Sequence, residues 1–367
     1  MDNKFLCNIY NPYHITVEKA EGIRIYTDKG VYIDTFAGIG VLNLGHSHPD
    51  VVNAVISKVR RFAHLSNYFL DPEAEEMAHT LLGFTGRKGC VYFANSGTEA
   101  NEAALKAVKK CRKGKIVSFE GNFHGRTLGA LSVTYSEKLR NPFEPLLPDT
   151  VFLPLDGKTF SRFACDNEIA GVFIECVQGN SGVLPVPEDL VHTVAKLRGE
   201  RGYLIAADEV QAGLGRTGNY FSYQGYGLEP DIVTMGKGIG GGLPLGAAMF
   251  LDMVPFGPGD HGSTFAPNPV ALSAGMAFLG KLTPEFLEEI REKGNYLAKG
   301  LSKLGWVTEV RQRGLMIGAG TADAETVKKK AFDNGVLLNI AGGSIRFLPA
   351  FTITRDEIDE ILDKIDF

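Results

Sequence analysis

A lysine set among glycines is the residue whose type and position most clearly indicate chemistry. Residues 231–235 are typical of an apolar strand, and they lead directly into Gly236-Lys237-Gly238-Ile-Gly-Gly-Gly242. Glycines let the backbone approach a ligand closely and adopt positive φ. An amine at the end of an apolar strand is partly desolvated, which lowers its pKa and makes it a nucleophile toward carbonyl groups. We therefore predict that Lys237 is catalytic.

An aspartate upstream of this lysine is the second unusual feature. The apolar stretch 203–207 ends in two carboxylates, Asp208 and Glu209. Burying an aspartate is costly unless it has a cationic or strongly donating partner, and a protonated pyridine nitrogen is such a partner. A structural ion pair would also explain Asp208 taken alone. Because a lysine for a Schiff base and an aspartate for a pyridinium nitrogen are what pyridoxal phosphate requires, Lys237 and Asp208 together predict a site for that cofactor.

Two further motifs follow predicted strands. Asn95-Ser96-Gly97-Thr98 joins a strand at 90–93 to a helix at 98–110, and helix N-termini favour phosphate, although the motif alone is more typical of an ordinary helix cap. Phe123-His124-Gly-Arg126 follows a strand at 115–119. There Phe123 could stack on a planar ring and Arg126 could hold a carboxylate, the alternatives being core packing and a surface ion pair. Their position after strands of an open α/β sheet favours ligand binding.

Other ligand motifs are absent or incomplete. Residues 236–241 match GxGxxG, but the acidic residue expected about 20 positions later is missing, which argues against a dinucleotide. A glycine rather than Ser or Thr after Lys237 argues against a P-loop. His46 and His48 have no third ligand at suitable spacing, so we expect them in a turn and predict no metal site.

The composition is that of a soluble globular protein. The 367 residues are 44% hydrophobic and 22% charged, with a net charge of −5 and no long basic run, so nucleic acid and membrane are not expected as partners. No basic region followed by an apolar stretch opens the chain, and no apolar run approaches the ~20 residues of a membrane span. Five scattered cysteines, without a CxxC pair, fit a reducing cytoplasm; they are Cys7, Cys90, Cys111, Cys165 and Cys176.

The order of predicted elements indicates an α/β fold. A hairpin is predicted at 22–36, and strands alternate with helices from about residue 90, which is typical of a mostly parallel sheet covered on both faces. Long amphipathic helices follow residue 269. We expect residues 1–45 to form the N-terminal segment of a small lobe, 46–268 the large cofactor-binding domain, and 269–367 the C-terminal small domain.

Taken together, the motifs resemble those of the class III (subgroup II) pyridoxal-phosphate aminotransferases, and within them the acetylornithine branch and related enzymes of lysine biosynthesis. The resemblance covers nearly the whole chain. The matching segments are 38–41, 44–49, 66–67, 95–101, 123–127, 208–211, 215–218, 236–242, 261–265 and 345–349. The resemblance implies a fold-type I homodimer whose active sites are shared between the subunits.

The resemblance also implies roles for individual residues. Lys237 would form the Schiff base and move the proton, Asp208 would keep the pyridine nitrogen protonated, and Gln211 would contact the phenolic oxygen. Arg126 would clamp a substrate α-carboxylate, and Arg346 would receive a carboxylate of 2-oxoglutarate or glutamate, with Ser263 near the substrate. The implied cofactor-binding residues are Ser96, Gly97, Thr98, Phe123, Asp208, Glu209, Val210, Gln211, Lys237 and, from the partner subunit, Thr264.

The implied reaction moves the terminal amino group of N2-acetyl-L-ornithine, or of a similar Nα-blocked diamino acid, to 2-oxoglutarate, giving the semialdehyde and glutamate. That reaction belongs to arginine or lysine biosynthesis. The alternatives are an ornithine, acetyl-lysine or 4-aminobutyrate aminotransferase, a glutamate-1-semialdehyde aminomutase, or a protein that binds the cofactor without catalysis.

One position departs from the family pattern. Relatives usually have a second glutamate where this chain has Asn180, in Glu175-Cys-Val-Gln-Gly-Asn180. That glutamate typically pairs with the arginine corresponding to Arg346. An asparagine cannot neutralise Arg346, and it resembles the residue of the aminomutases.

Overall fold

The computed structural model describes residues 5–7 and 9–367. Residues 1–4 and 8 lie outside the described residues. They include part of the predicted segment 1–45 and part of the stretch that was expected to lack a leader peptide. The strands are β1 Val17–Glu21, β2 Arg24–Thr27, β3 Gly30–Asp34, β4 Gly89–Ala94, β5 Lys115–Phe119, β6 Thr150–Leu153, β7 Ile169–Ile174, β8 Val177–Gln178, β9 Leu184–Pro185, β10 Leu204–Asp208, β11 Ile232–Met235, β12 Gly246–Leu251, β13 Glu309–Arg313, β14 Met316–Gly320, β15 Val336–Leu337, β16 Asn339–Ala341 and β17 Ser344–Phe347.

The helices begin with a short turn that contains left-handed residues, α1 (Ala37–Gly40). The others are α2 Pro49–Arg61, α3 Pro72–Gly83, α4 Gly97–Cys111, α5 Leu128–Ser132, α6 Glu137–Arg140, α7 Gly157–Asp166, α8 Glu188–Arg201, α9 Pro269–Leu279, α10 Pro284–Leu301, α11 Ala324–Asp333 and α12 Arg355–Ile365. Among residues 5–7 and 9–367, no helix is both long enough and apolar enough to cross a bilayer.

A seven-stranded sheet forms the centre of the fold, in the order β4-β12-β11-β10-β7-β5-β6. The expected mostly parallel sheet is confirmed, since β11, β10, β7, β5 and β6 pair in parallel. Strand β12 was not predicted and runs antiparallel to both neighbours. It has no alternation of apolar and polar residues because all six of its residues are buried. Strands β7 and β10 are buried along their whole length, as in sheets covered on both faces.

The carboxyl ends of the parallel strands meet at one edge of this sheet. There β4 leads into Asn95, and β5 leads into the loop before Phe123. Strand β7 leads into Glu175, β10 into Glu209, and β11 into the turn of Lys237. Strand β12 starts at the same edge because it runs the other way. Ligands bind at this edge in open α/β sheets. The topology therefore gathers residues that are up to 142 positions apart in sequence, from Asn95 to Lys237.

The two ends of the chain are joined outside the central sheet. The predicted hairpin is confirmed as β2 and β3, which pair Thr27 with Gly30 across a two-residue turn. Strand β15 then pairs in parallel with β3, and β13, β14, β17 and β16 form a second four-stranded sheet. The domain boundaries at 45/46 and 268/269 stay a prediction.

Arg216 connects the middle of the chain to both ends. Its Nη1 donates to the carbonyl oxygens of Leu315 and Pro349 at 3.0 and 2.6 Å, and its Nη2 donates to Asn43 Oδ1 at 2.8 Å. The guanidinium lies 4.4 Å from the centre of the Phe351 ring. Burial lowers the pKa of Arg216 to about 9. Three separate segments therefore meet on one buried cation.

We expect Arg216→Met to lower the free energy of unfolding by about 3–5 kcal/mol, because it leaves three buried acceptors without a donor. Urea denaturation followed by circular dichroism measures the change. Arg162→Met, at an exposed position of α7, is the control and should stay within about 0.5 kcal/mol of the parent. Equal stability of the two variants would contradict a structural role for Arg216.

Candidate active site

A cavity of about 450 Å³ opens at the carboxyl edge of the central sheet. Its wall is made by loops that follow β4, β5, β7, β10 and β11 and by the loop that precedes β12. The lining residues are Val41, Asn95, Ser96, Gly97, Thr98, Phe123, His124, Gly125, Arg126, Glu175, Asp208, Val210, Gln211, Lys237, Gly242, Leu243, Pro244 and Leu245. Most residues predicted from the sequence are therefore brought together here.

Asp208 is the most firmly held group in the cavity. Its side chain is 4% exposed, and Oδ2 accepts hydrogen bonds from His124 Nδ1 at 2.7 Å and Asn101 Nδ2 at 2.8 Å. Oδ1 accepts from the backbone N–H of Val210 at 2.9 Å. Because the carboxylate only accepts, His124 Nδ1 must carry the proton of this contact. The network fixes the direction in which the carboxylate faces the cavity.

A second layer holds this network in place. Asn101, on the inner face of α4, accepts from Thr234 Oγ1 at 2.8 Å and donates to the His124 carbonyl oxygen at 2.7 Å. Thr234 lies in β11, directly opposite Asp208 in the parallel register. Helix α4 and strands β10 and β11 are thus connected through buried side chains.

Lys237 lies at the first position of a 3₁₀ turn that follows β11, with φ of 50°. A non-glycine residue in this left-handed region costs of order 1 kcal/mol, and such residues cluster at functional sites. Burial lowers the pKa of Lys237, while Asp208 and Glu175 act in the opposite direction. The amine is therefore more easily available as a base or nucleophile than an exposed lysine would be.

Helix α4 directs its N-terminus into the cavity. Ser96 is its N-cap and accepts from Glu99 N at 3.3 Å, so the ordinary capping role weighed for this motif is present. The backbone N–H groups of Gly97 and Thr98 belong to the first turn, which has no intrahelical acceptors. A Cβ at Gly97 would lie 2.6 Å from Val210 Cγ1, so only glycine fits against that side chain. These donors suit a phosphate.

Glu175 connects two loops of the cavity wall. It is 5% exposed and accepts from Phe123 N at 2.6 Å and from Gly179 N at 3.3 Å. Burial, and then the nearby Asp208, raise the pKa of Glu175 to about 7. This carboxylate positions Phe123, whose ring lines the cavity, and the loop that leads to Asn180.

Arg346 lies one residue behind the cavity wall. The guanidinium is 3% exposed, and Nη1 donates to Gln211 Oε1 at 3.0 Å. Gln211 lines the cavity, whereas Arg346 does not. Since the bond to Arg346 fixes the Gln211 oxygen, the amide nitrogen of Gln211 is left to donate elsewhere. Gln211 thus lies between Arg346 and the cavity, and the carboxylate contact expected for Arg346 stays a prediction.

Arg126, Ser263 and Thr264 differ from the buried residues in their exposure. Arg126 is exposed at the rim of the cavity. Ser263 lines a second cavity, where its carbonyl oxygen accepts from Asn67 Nδ2 at 2.9 Å. Thr264 is exposed and lies outside the lining of the first cavity.

Glu209 is a predicted cofactor ligand whose side chain the structure turns away from the cavity. Its carboxylate accepts from the N–H and hydroxyl of Ser222 at 2.8 and 2.6 Å and from Tyr223 N at 2.9 Å. Burial raises the pKa of Glu209 to about 7. Adjacent residues at a strand end point to opposite faces, so Glu209 points away from the side that Asp208 faces. Its carboxylate therefore holds the neighbouring loop of Ser222 and Tyr223.

Three residues of the site were not predicted as such: Glu175, His124 and Asn101. Glu175 ends an apolar strand as Asp208 does, so the same signal was available for it. His124 lies inside a motif that was singled out for its neighbours. Asn101 has no local signal beyond being a polar residue on the alanine-rich face of α4. The two histidines considered for a metal are structural: His46 Nε2 contacts Asp34 Oδ2 at 2.9 Å, and His48 caps α2.

The residues present fit pyridoxal phosphate. A buried carboxylate, an amine of lowered pKa, an aromatic ring and the free N–H groups of a helix start line one cavity. Asp208 would hold the ring nitrogen, Lys237 the aldehyde carbon, Phe123 one ring face, and Gly97 and Thr98 the phosphate. Each chemical part of the cofactor therefore has a matching group on this chain.

Comparisons with known proteins point in the same direction. A family model described as "Aminotransferase class-III" matches residues 7–366. The acetylornithine aminotransferase of Caldanaerobacter subterraneus subsp. tengcongensis is 39% identical, over 100% of this chain and 97% of that protein. An ornithine aminotransferase structure from Toxoplasma gondii, with pyridoxal phosphate at partial occupancy in its active site, has a TM-score of 0.92 at 28% identity, covering 99% of this chain and 91% of that one. The N-acetylornithine aminotransferase structure from Stenotrophomonas maltophilia has a TM-score of 0.83 at 30% identity, covering 97% and 95%.

We expect Glu175→Gln to change how stability depends on pH. The folded-state pKa of about 7 lies above the value of 4.5 for a free glutamate, so the folded protein binds this proton more tightly. The resulting stabilisation is present at low pH and is lost as pH rises through about 7. The free energy of unfolding of the cofactor-free parent, minus that of the variant, should therefore fall between about pH 5 and pH 8.

Urea denaturation at several pH values measures this difference. Glu200→Gln, at an exposed position, is the control, and its difference from the parent should not follow the same course. Parallel curves for the parent and Glu175→Gln would show that Glu175 titrates as in the unfolded chain.

Proposed function

The chain belongs to the class-III aminotransferase family, its cofactor is pyridoxal phosphate, and we propose that it moves the terminal amino group of N2-acetyl-L-ornithine to 2-oxoglutarate. The products are the semialdehyde of the Nα-blocked diamino acid and glutamate. The observation that carries the proposal is the presence of the buried Asp208 carboxylate and the Lys237 amine on one cavity. The choice of donor is supported by the names of the relatives that match over the full length.

Pyridoxal phosphate, when bound, withdraws electrons from the carbon that carries the transferred amine, so that this carbon can lose a proton. Asp208 holds a proton on the ring nitrogen, because a buried carboxylate favours a cation beside it. His124 and Asn101 keep that carboxylate aimed at the nitrogen. These residues position charge and do not themselves exchange protons with the substrate.

Lys237 Nζ moves the proton. Burial lowers the pKa of Lys237, so Nζ loses its proton more readily than an exposed lysine would and can accept the proton from the reacting carbon and return it. The apolar lining, including Phe123 and Leu245, excludes water from this transfer. Arg126 at the rim binds the carboxylate of the incoming substrate at the end away from the reacting amine.

The visible spectrum of the purified, cofactor-loaded protein tests the proposal. Adding N-acetylornithine should bleach the visible absorption band of the bound cofactor, and adding 2-oxoglutarate should restore it. Lys237→Ala should lower turnover by about 10²-fold or more, whereas Lys196→Ala, at an exposed position, should leave it unchanged. A band that ignores N-acetylornithine but bleaches with ornithine, acetyl-lysine or 4-aminobutyrate would refute the donor, and full activity of Lys237→Ala would refute the mechanism.

We also propose that the enzyme is a cytoplasmic homodimer whose active sites are shared. Thr264 is exposed, and large apolar side chains near it are uncovered, with Tyr68 and Leu70 96% exposed and Phe265 63% exposed. Asn67, next to Tyr68, is bonded to Ser263 beside Thr264. A second subunit would cover these side chains and bring Thr264 to the phosphate of its partner. The unpaired state of all five cysteines supports the reducing compartment.

Mixing two variants with different defects, at a limiting concentration of cofactor, tests the shared site. We expect Thr264→Ala to weaken cofactor binding and Lys237→Ala to abolish turnover. A mixed dimer contains one site with both residues intact, so mixing after subunit exchange should restore activity that neither variant has alone. Light scattering should give twice the 39.8 kDa of one chain. A monomer, or no gain of activity on mixing, would contradict the proposal.

A further inference from the structure

Helix α5 begins beside Arg126 without a cap from its own N-cap residue. That residue is Thr127, and its side chain accepts no hydrogen bond from the first turn of the helix. A threonine at an N-cap ordinarily accepts from the backbone N–H three residues later, which here belongs to Ala130. Glu102 of α4 accepts that N–H instead, at 3.0 Å. The cap of α5 is therefore supplied by a different helix.

The Glu102 carboxylate also sets the direction of two hydroxyl groups. Its Oε1 lies 2.5 Å from Thr127 Oγ1, and Thr127 Oγ1 lies 2.9 Å from Thr98 Oγ1. A carboxylate only accepts, and a hydroxyl has one hydrogen, so Thr127 donates to Glu102 and Thr98 donates to Thr127. Thr98 and Glu102 are four residues apart and share one face of α4. Polar side chains thus tie the start of α5 to α4.

The backbone is held on both sides of Arg126. On the C-terminal side α5 lies close to the carboxylate, because a Cβ at Gly129 would collide with Glu102. On the N-terminal side the Gly125 N–H donates to the buried Thr134 Oγ1 at 3.3 Å. Arg126 is therefore mounted between two anchored segments, and Glu102 provides one of the anchors.

Arg126 depends on this support because nothing holds its side chain. It is exposed at the rim of the active-site cavity, and within the part of the chain that the structure describes its guanidinium has no hydrogen-bond partner. A long side chain loses conformational entropy when it binds a carboxylate. The loss is larger where the backbone also has to be ordered, and a group that is misplaced by about 1 Å binds and reacts poorly.

We propose that Glu102 is a positioning residue for the carboxylate of the amino donor. It holds residues 126–130 against α4 and so fixes the point from which Arg126 reaches that carboxylate. The inference rests on the proposed aminotransferase function and deepens it by adding a residue that determines donor selectivity. Glu102 does not line the active-site cavity, so it acts through Arg126 and leaves the proton transfer by Lys237 untouched.

Two donors separate this role from general support of the site. N-acetylornithine and N-acetyl-1,4-diaminobutane share the amide and the reacting amine, and only the first has a carboxylate. Bleaching of the visible band of the cofactor-loaded enzyme is followed by stopped flow at rising donor concentration. The measurement gives a half-saturation concentration and a maximum rate for each donor.

In Glu102→Ala we expect the half-saturation concentration for N-acetylornithine to rise about tenfold at an unchanged maximum rate, because Arg126 is misplaced and Lys237 is not. The value for N-acetyl-1,4-diaminobutane should stay within about twofold of the parent. Glu102→Gln keeps an oxygen that accepts from Ala130 and should bind both donors as the parent does. Glu200→Ala, at an exposed position of α8, is the control and should change neither value.

A combined variant identifies Arg126 as the group that Glu102 positions. Arg126→Ala removes the contact, so adding Glu102→Ala to it should not weaken N-acetylornithine binding further. Equal losses for both donors in Glu102→Ala, no loss for either, or additive losses in the combined variant would overturn the proposal. A loss in Glu102→Gln as large as in Glu102→Ala would overturn it as well.

A second variant covers the case in which Glu102→Ala does not fold. Thr127→Val keeps the shape of the side chain and removes the hydroxyl that donates to Glu102. It should raise the half-saturation concentration for N-acetylornithine and spare that for N-acetyl-1,4-diaminobutane. Parent-like binding of both donors by this variant, or an equal loss for both, would overturn the proposal.

The outcome is separable from that of the proposed function. Bleaching of the parent by N-acetylornithine tests the donor before any variant is made. If the parent bleaches with acetyl-lysine instead, the proposed donor is wrong, and the comparison is made between acetyl-lysine and N-acetyl-1,5-diaminopentane, its counterpart without the carboxylate. The ratio between those two donors then supports or overturns the role of Glu102 by itself. A band that no such donor bleaches would overturn both.

Discussion

The site depends on one buried contact, that of the Asp208 carboxylate with His124 and Asn101. An uncompensated carboxylate at this depth would destabilise the fold, so its oxygens are satisfied by donors from three elements. Those donors come from the loop after β5, from α4 and from the turn after β10. The same contact that makes the burial tolerable also fixes the direction of the charge. Aiming the carboxylate at the cavity and holding the three elements together are thus one requirement.

The second carboxylate, Glu175, extends this arrangement to the other wall. Its two acceptor bonds join the loop of Phe123 to the loop of Gly179, and Gly179 contacts Arg346 in turn. A displacement of either loop would therefore be felt at both the ring-stacking side and the arginine. Burial first, and the nearby Asp208 second, raise the pKa of Glu175 to about 7. Lys237 lies near both carboxylates, and Arg346 lies near Glu175.

The buried cation Arg346 has only neutral hydrogen-bond partners. Arg346 donates to amide oxygens and to the Gly179 carbonyl rather than to a carboxylate. Its positive charge is therefore compensated only at a distance, by Glu175, to which Gly179 connects it. Gln211 lines the cavity, and its side-chain oxygen accepts from Arg346.

The sequence by itself predicted that Lys237, Asp208 and the glycine at the start of α4 follow or end strands at a ligand site, and that the sheet is mostly parallel. Each of these predictions depends only on a strand and the few residues that follow it. Tertiary structure alone decided which acids face the cavity. Glu209 follows Asp208 directly yet turns to Ser222, whereas Glu175, 33 residues before Asp208, joins it. The tertiary structure also placed Arg346 behind Gln211, which is 135 residues away in sequence. In the same way it paired Asn101 with Asp208, which lie 107 residues apart. The physical reason is that local patterns fix where a strand ends, while the packing of strands and helices fixes which side chains meet there.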